Sequence, residues 1–400
     1  MVATSGLGRS IIRVRSIGLG MHLDGLRVLD LSRLLPGPYG TQLLADMGAE
    51  VVRIERPGDD DEAGPELEAI NRGKRRVALD LKRDGGRDAF LELATTADVV
   101  VEQFRPGVVD RLGIGYEDVR EFNPEIVYCS LSGYGQNGPY SDRVGHDLNY
   151  VGLAGLLDMT RESDAEAPRI PGYQVADIGG GLFGALAIVS AVLSRELGAT
   201  DGEYIDISLT DAAVSFSQAV APRALGGANP RPGETPLTGR YPWYDSYAAE
   251  EGYVTLAALE PHFWMAFCDA VGREEWIELH ATDDPAERQA LREELEILFA
   301  ERTRDEWVEF FDGIDTAVGG VYTPAETVDH PQIEARGYVH RSSDGPPFIG
   351  FPARGSDIDH DEPATAVADH GADTASLLRE AGLDATEIER LRESGAIPEA

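Results

Sequence analysis

Lysine is nearly missing from this chain. Lys74 and Lys82 are its two lysines, although 400 residues carry 71 acidic side chains against 35 basic ones and a formal net charge of −36. A surface so short of cations does not suit a phosphate backbone, so nucleic acid is excluded as a partner. Cysteine is scarce as well. Cys129 and Cys268 are too few for a disulfide framework, and each lies among apolar neighbours, as reduced core thiols do. No uninterrupted apolar run approaches the length of a bilayer crossing. No GxGxxG follows the first strand, so a dinucleotide cofactor is not implied. Residues 1–20, MVATSGLGRSIIRVRSIGLG, lack acids and contain no long apolar stretch. They read as a disordered extension, or as an upstream start before Met21, rather than a secretory signal.

What is abundant is acid, spread along the whole length rather than gathered in a tail. That distribution, with arginine in place of lysine, fits a protein solvated in molar salt, where charge repulsion is screened within about 3 Å. A halophilic cytoplasm is the expected setting. Hydrophobic residues make up 42% of the chain, enough for a sizeable core. The length calls for two domains, or one large α/β unit with an insertion.

From Leu26 strands alternate with helices. RVLDLS, EVVRIE, ADVVVEQF and IVYCSLSG read as strands; PGPYGTQLLADMG reads as a turn and helix ending at Gly48. This βαβ pattern predicts a mostly parallel sheet with ligand bound beyond the carboxyl ends of its strands, in loops starting near Ser32, Glu55 and Glu102. Gly184 to Arg195 is expected as a buried helix, and DGEYIDISLTDAAVSFS as a strand followed by a helix. Residues 223–242 are Gly- and Pro-rich, a linker or a lid. A hairpin over YDSYAAEEGYVTLAAL and alternating helices over 262–312 mark a second domain. Pro-rich coil and a final amphipathic helix near ASLLREAGL complete the chain.

The stretch from Gly145 to Ile188 carries the chemistry. It opens with GHDLNY and reaches VADIGGG, where Asp177 precedes a glycine-rich turn into a long apolar helix. Free N–H groups of Gly179, Gly180 and Gly181, with the positive helix end, would stabilise an anion developing beside Asp177. The plainer alternative is an N-cap aspartate followed by glycines that pack on a neighbour. Glu260, in ALEPHFW, precedes Pro261 at a helix start, where the helix dipole alone favours an acid.

GHDLNY, VADIGGG and GEYIDISLTDA, together with GLRVLDLSRLLPGPYGTQLLADMGAEVVRIERPG, NRGKRRVALDLK and VVVEQFRPGVVDRLGIGYEDV, resemble the family III CoA-transferases (CaiB/BaiF type) and their relatives the 2-methylacyl-CoA racemases. The resemblance covers roughly residues 23–340. It implies a large Rossmann-like CoA domain over 21–222, a linker and small α+β domain over 223–334, a return of 335–400 to the large domain, and an interlocked homodimer. It also implies a CoA thioester as substrate, with neither a metal nor a resident cofactor. The CoA pocket would be lined by Leu34, Leu35, Arg56, Leu79, Asp80, Leu81, Lys82, Gln103, Phe104 and Arg111. CoA phosphates also give a reason for the cluster of Arg33, Arg56, Arg72, Lys74, Arg75, Arg76, Lys82, Arg105 and Arg111 in an acidic protein. Any one of these has pairing with a nearby acid as its alternative.

The resemblance offers two chemistries. In the racemase branch His146, Asp177 and Glu260 exchange an α-proton through an enolate. In the transferase branch Asp177 attacks the thioester to give a mixed anhydride, then an aspartyl-CoA thioester. Arg240, before YPWYDSY, suits a substrate with a second carboxylate, or else pairs with Asp245. CoA transfer between small dicarboxylic acids, such as succinate and mesaconate, is the reading carried forward, with the racemase as alternative. A non-catalytic CoA-binding protein is a third, against which the retained Asp177 argues.

Overall fold

The structure, a computed structural model, describes residues 22–58, 64, 67–161, 165–341, 345–355 and 365–399; residues 1–20 lie outside them. Six strands form one parallel sheet: β1 (Arg27–Leu31), β2 (Glu50–Glu55), β3 (Arg75–Ala78), β4 (Val99–Glu102), β5 (Val127–Ser132) and β6 (Glu203–Ser208), in the order β3-β2-β1-β4-β5-β6. The mostly apolar, buried sequences of β1, β2, β4 and β5 suit strands covered on both faces. The order reverses between β1 and β4, so the crevice outside that pair is where an open α/β sheet takes its ligand.

One face of the sheet packs under α1 (Pro36–Asp46) and the long helix Val175–Glu196. The other is covered by α2 (Asp84–Ala94), by α3 (Val108–Leu112) and α4 (Tyr116–Phe122), and by two C-terminal helices, Thr374–Glu380 and Ala385–Glu393, whose Leu377, Leu378 and Ile388 join that core. The large domain is thus built from both ends of the described chain. Asp373 accepts from Arg76 N at 3.0 Å and Thr374 from Ala78 N at 3.0 Å, fastening the C-terminal return to β3. Two helices stand where one was expected; the second starts at a capping box formed by Asp384 and Glu387.

α5 (Asp147–Leu153) leads into α6 (Val175–Glu196), which packs on α1, β5, β6 and α7 (Leu209–Ser215). Two expectations for this region need correction. The glycines after Asp177 form no turn; they lie inside α6. Their N–H groups therefore enter the i→i−4 ladder and do not face an anion. Their small size is what the fold uses. A Cβ on Gly40 would lie 2.7 Å from the Gly181 carbonyl oxygen, and one on Gly179 would lie 2.7 Å from the Phe216 ring. Nor is the helix buried all round. Leu182, Leu186, Leu193 and Leu197 are 46%, 58%, 56% and 75% exposed, a row at helical spacing. α6, with a mean hydropathy of 1.8, is also a run of the length and composition of a membrane span, where none was expected, yet it packs on α1 and the sheet.

The smaller unit holds an antiparallel sheet of β7 (Tyr244–Ala248), β8 (Tyr253–Ala257) and β9 (Val318–Val321). Its aromatic core is built on Trp243, Trp264, Phe267, Phe299 and Trp307. Cys268 belongs to this core and Cys129 to that of the large sheet, both as buried free thiols.

Candidate active site

At the carboxyl ends of β1, β2, β3 and β4 lies a cleft of about 400 Å³. Arg56, Leu79, Asp80, Leu81, Lys82 and Phe104 line it, as do Ser32, Arg33, Arg53, Glu55, Arg76 and His370. Apolar Leu31, Ile54, Val108 and Leu112 supply the rest of its wall, leaving basic groups over a greasy floor, a combination suited to an anionic ligand with apolar parts.

Four residues expected around CoA stand outside this lining. Leu34 takes a left-handed φ of 62°, and Leu35 sits at the start of α1. Gln103 uses its side-chain oxygen to accept from Gly37 N at 3.1 Å. Arg111 is exposed in the last turn of α3.

The cationic cluster also divides. Arg72 binds Asp46 at 2.6 Å, Arg75 binds Glu50 at 2.8 Å and Glu380 at 2.9 Å, and Lys74 is buried against Asp30. These three hold the fold together and do not face the cleft. His370 arrives from the C-terminal return, its Nε2 at 3.1 Å from the Arg56 carbonyl and 3.6 Å from Glu55. It stands in acidic coil almost 290 residues from Lys82, with no motif to mark it.

Asp177 is the third residue of α6, mostly removed from solvent. Burial pushes its carboxyl up to about 7, and the neighbouring Asp147 carboxylate adds to the shift. Asp147 also accepts from Ala176 N at 2.7 Å and Asp177 N at 3.1 Å, so the cap of α6 comes from the start of α5. The Asp177 carboxylate itself has no hydrogen-bond or ion-pair partner among the described residues. Tyr150, whose hydroxyl donates to Gly145 O at 2.5 Å, is pushed up to about 12 by burial, with Asp177 contributing. Asp147 and Tyr150 were visible within GHDLNY as residues but not as parts; only the fold brings their motif against VADIGGG.

His146 is the exposed N-cap of α5, its N–H donating to Asn149 at 3.1 Å. Glu260 is the exposed N-cap of the helix Pro261–Val271. No hydrogen bond or ion pair among the described residues joins Glu260 to His146 or Asp177. Arg240 binds Asp283 at 3.1 Å, whereas Asp245 is taken by Arg292.

A family model described as "CoA-transferase family III" matches residues 23–374. An alpha-methylacyl-CoA racemase of Mus musculus is 37% identical over 79% of this chain and 82% of its own. A succinyl-CoA:mesaconate CoA-transferase of Haloarcula hispanica is 36% identical over 78% of this chain and 84% of its own. Among solved structures, a CAIB/BAIF family protein from Brucella suis superposes with a TM-score of 0.78 at 30% identity, covering 90% of this chain and 100% of that one.

Proposed function

The chain belongs to CoA-transferase family III, and from that premise we propose that it moves CoA between small dicarboxylic acids, with succinyl-CoA as donor and mesaconate as acceptor the pair to test first. The observation that carries this reading is the unpartnered, desolvated carboxyl of Asp177. A carboxylate without hydrogen bonds keeps its charge concentrated and is the better nucleophile once ionised. Its oxygen attacks the thioester carbonyl, the C–S bond breaks and CoA leaves as thiolate, giving a mixed anhydride. The thiolate then attacks the aspartyl carbonyl, releasing the first acid and forming aspartyl-CoA. An incoming carboxylate repeats the two exchanges in reverse. The cleft with Arg56 and Lys82 would hold the nucleotide end of CoA, and Arg240 could exchange its exposed partner Asp283 for a distal substrate carboxylate at small cost.

One observation favours proton exchange instead. A carboxyl poised at about 7 is matched to general acid–base work near neutrality, as a racemase requires. The two readings part in D₂O. The transferase leaves an adduct on Asp177 that hydroxylamine traps, takes up little deuterium without an acceptor acid, and tolerates His146→Ala. Rapid washout of the α-hydrogen with no trappable adduct would assign the racemase.

We further infer that two copies associate. The exposed leucine row of α6 needs a cover, and among the described residues no hydrogen bond or ion pair joins Glu260 or Arg240 to Asp177. Light scattering that finds a monomer in molar salt would remove this part.

A further inference from the structure

Beneath the loop that joins β1 to α1 lie two charges with no access to water. The side chains of Lys74 and Asp30 are each 0% exposed, with Nζ 3.2 Å from Oδ2. Lys74 Nζ also donates to Thr41 Oγ1 at 2.8 Å, to Pro38 O at 2.9 Å and to Asn71 Oδ1 at 3.1 Å. Asp30 in turn accepts from Ser32 N at 2.9 Å, from the Ser32 hydroxyl, and from Thr41 Oγ1 at 2.5 Å. Ser32 begins the loop; Pro38 and Thr41 follow it.

Between those anchors the backbone is tightly folded. Leu34 holds its left-handed φ of 62°, the one positive value for a non-glycine residue among the described residues. A Cβ on Gly37 would collide with the Ser32 side chain. On the outside of the same loop, Ser32 and Arg33 form part of the cleft wall.

A buried ion pair is a poor source of stability, since desolvation consumes most of what the attraction returns. Its four-way ammonium contact is better understood through what it holds in place. We propose that Lys74 is a positioning residue for CoA recognition: its ammonium draws Asp30, Pro38 and Thr41 together, so that residues 32–37 present Ser32 and Arg33 to the ligand as a fixed wall. The proposal rests on the reading of the cleft as the CoA site.

The clamp has a pH limit. Burial lowers Lys74 to about 8, while Asp30 on β1 raises it and Arg53 on β2 and Arg72 lower it further; Asp46 at the end of α1 also feels its charge. Burial alone would raise Asp30, but Lys74, Ser32 and Thr41 hold it below the usual carboxylate range. Above about pH 8 the ammonium is therefore lost while Asp30 stays charged. Because the folded value of Lys74 lies below its unfolded one, the unfolded chain binds more protons in this window and stability does not fall as pH rises. Loss of affinity there is then not unfolding.

The test is calorimetric titration of acetyl-CoA into the full chain between about pH 6.5 and pH 9.5, with the wild type, Lys74→Met and Asp30→Asn. For the wild type Kd should rise about tenfold across pH 8, the effect of losing one charged hydrogen-bond donor. Lys74→Met should bind as weakly at low pH as the wild type does at high pH, with no pH dependence, while kcat at saturating donor stays within about twofold. A wild-type Kd that is flat with pH, or a pH dependence retained in Lys74→Met, overturns the inference and leaves the CoA reading standing. Failure of the wild type to bind acetyl-CoA at any pH overturns both. Should Lys74→Met not fold, the wild-type pH series decides alone.

Discussion

The cleft and the Asp177 site are built in opposite ways. The cleft draws on the ends of four parallel strands and the C-terminal return, and most of its charged residues are tied to partners: Arg53 to Glu55, Arg76 to Glu68, His370 to the Arg56 carbonyl. Asp177 stands at the junction of two helix starts, its carboxyl joined to neither His146 nor Glu260 by a hydrogen bond or ion pair among the described residues. On our reading, recognition is thus prepared within one chain, whereas the chemistry waits for substrate and a second copy. A site that binds before it reacts profits from this division, since rigid binding groups lose little entropy on complex formation and an unpaired carboxylate stays reactive.

Four perturbations press on that contrast. The largest effect belongs to Asp177→Asn, which should lower turnover by about a thousandfold or more and leave acetyl-CoA affinity unchanged. The same variant has a stability signature. Because the folded value of about 7 lies above the ordinary carboxyl range, the folded state binds the extra proton between roughly pH 4 and pH 7, so wild-type stability falls as pH rises through that window. Asp177→Asn should match the wild type below pH 4 and exceed its Tm above pH 7; equal melting curves at high pH would show that the carboxyl is not desolvated.

Arg56→Ala should do the reverse, raising KM for the CoA donor by about tenfold, the value of a charged hydrogen bond, with kcat preserved. A fall in kcat alone would sever Arg56 from recognition. Gly181→Ala attacks the seam between the two regions, because its Cβ would enter the Pro36 carbonyl and force α1 away from α6. A destabilisation of about 1–3 kcal/mol is expected, with KM and kcat both affected. The smallest effect is salt. If the acid surplus is an adaptation to molar salt, dilution from about 1 M to 0.1 M lengthens screening from about 3 Å to 10 Å and should lower Tm by several degrees. A salt-indifferent Tm removes that proposal.

What the sequence made legible follows from how each signal arises. β1, β2, β4 and β5 are runs of Val, Ile and Leu bounded by turns, and a parallel sheet buried on both faces writes such runs directly. β3 is four residues, RRVA, opening with two arginines, and nothing in so short a polar start announces a strand. Glycine is a weak helix former, so Gly179 to Gly181 read as a turn; only the approach of α1 shows why the helix accepts them. Lys74 and Lys82 looked alike as cations beside a phosphate. One is enclosed and the other lines the cleft, a difference set by which side of β3 each falls on and by a loop closing over the first. The last helix did carry a signal, Asp384 and Glu387 at capping-box spacing, and the terminal cores of both helices are apolar at helical period.

The C-terminal fastening of β3 has a consequence for how the protein is made. Asp80 N donates to Ala396 O, Thr374 and Asp373 hold β3, and His370 finishes the cleft wall. A ribosome that has just added residue 82 must translate about three hundred further codons before these partners exist, an interval of about 15–60 s at ordinary elongation rates. Throughout it, the sheet face meant for Leu377, Leu378 and Ile388 is without its cover. The nascent chain therefore presents a long-lived sticky surface, and its cleft is finished only after residue 370 and the helices that follow it have been made.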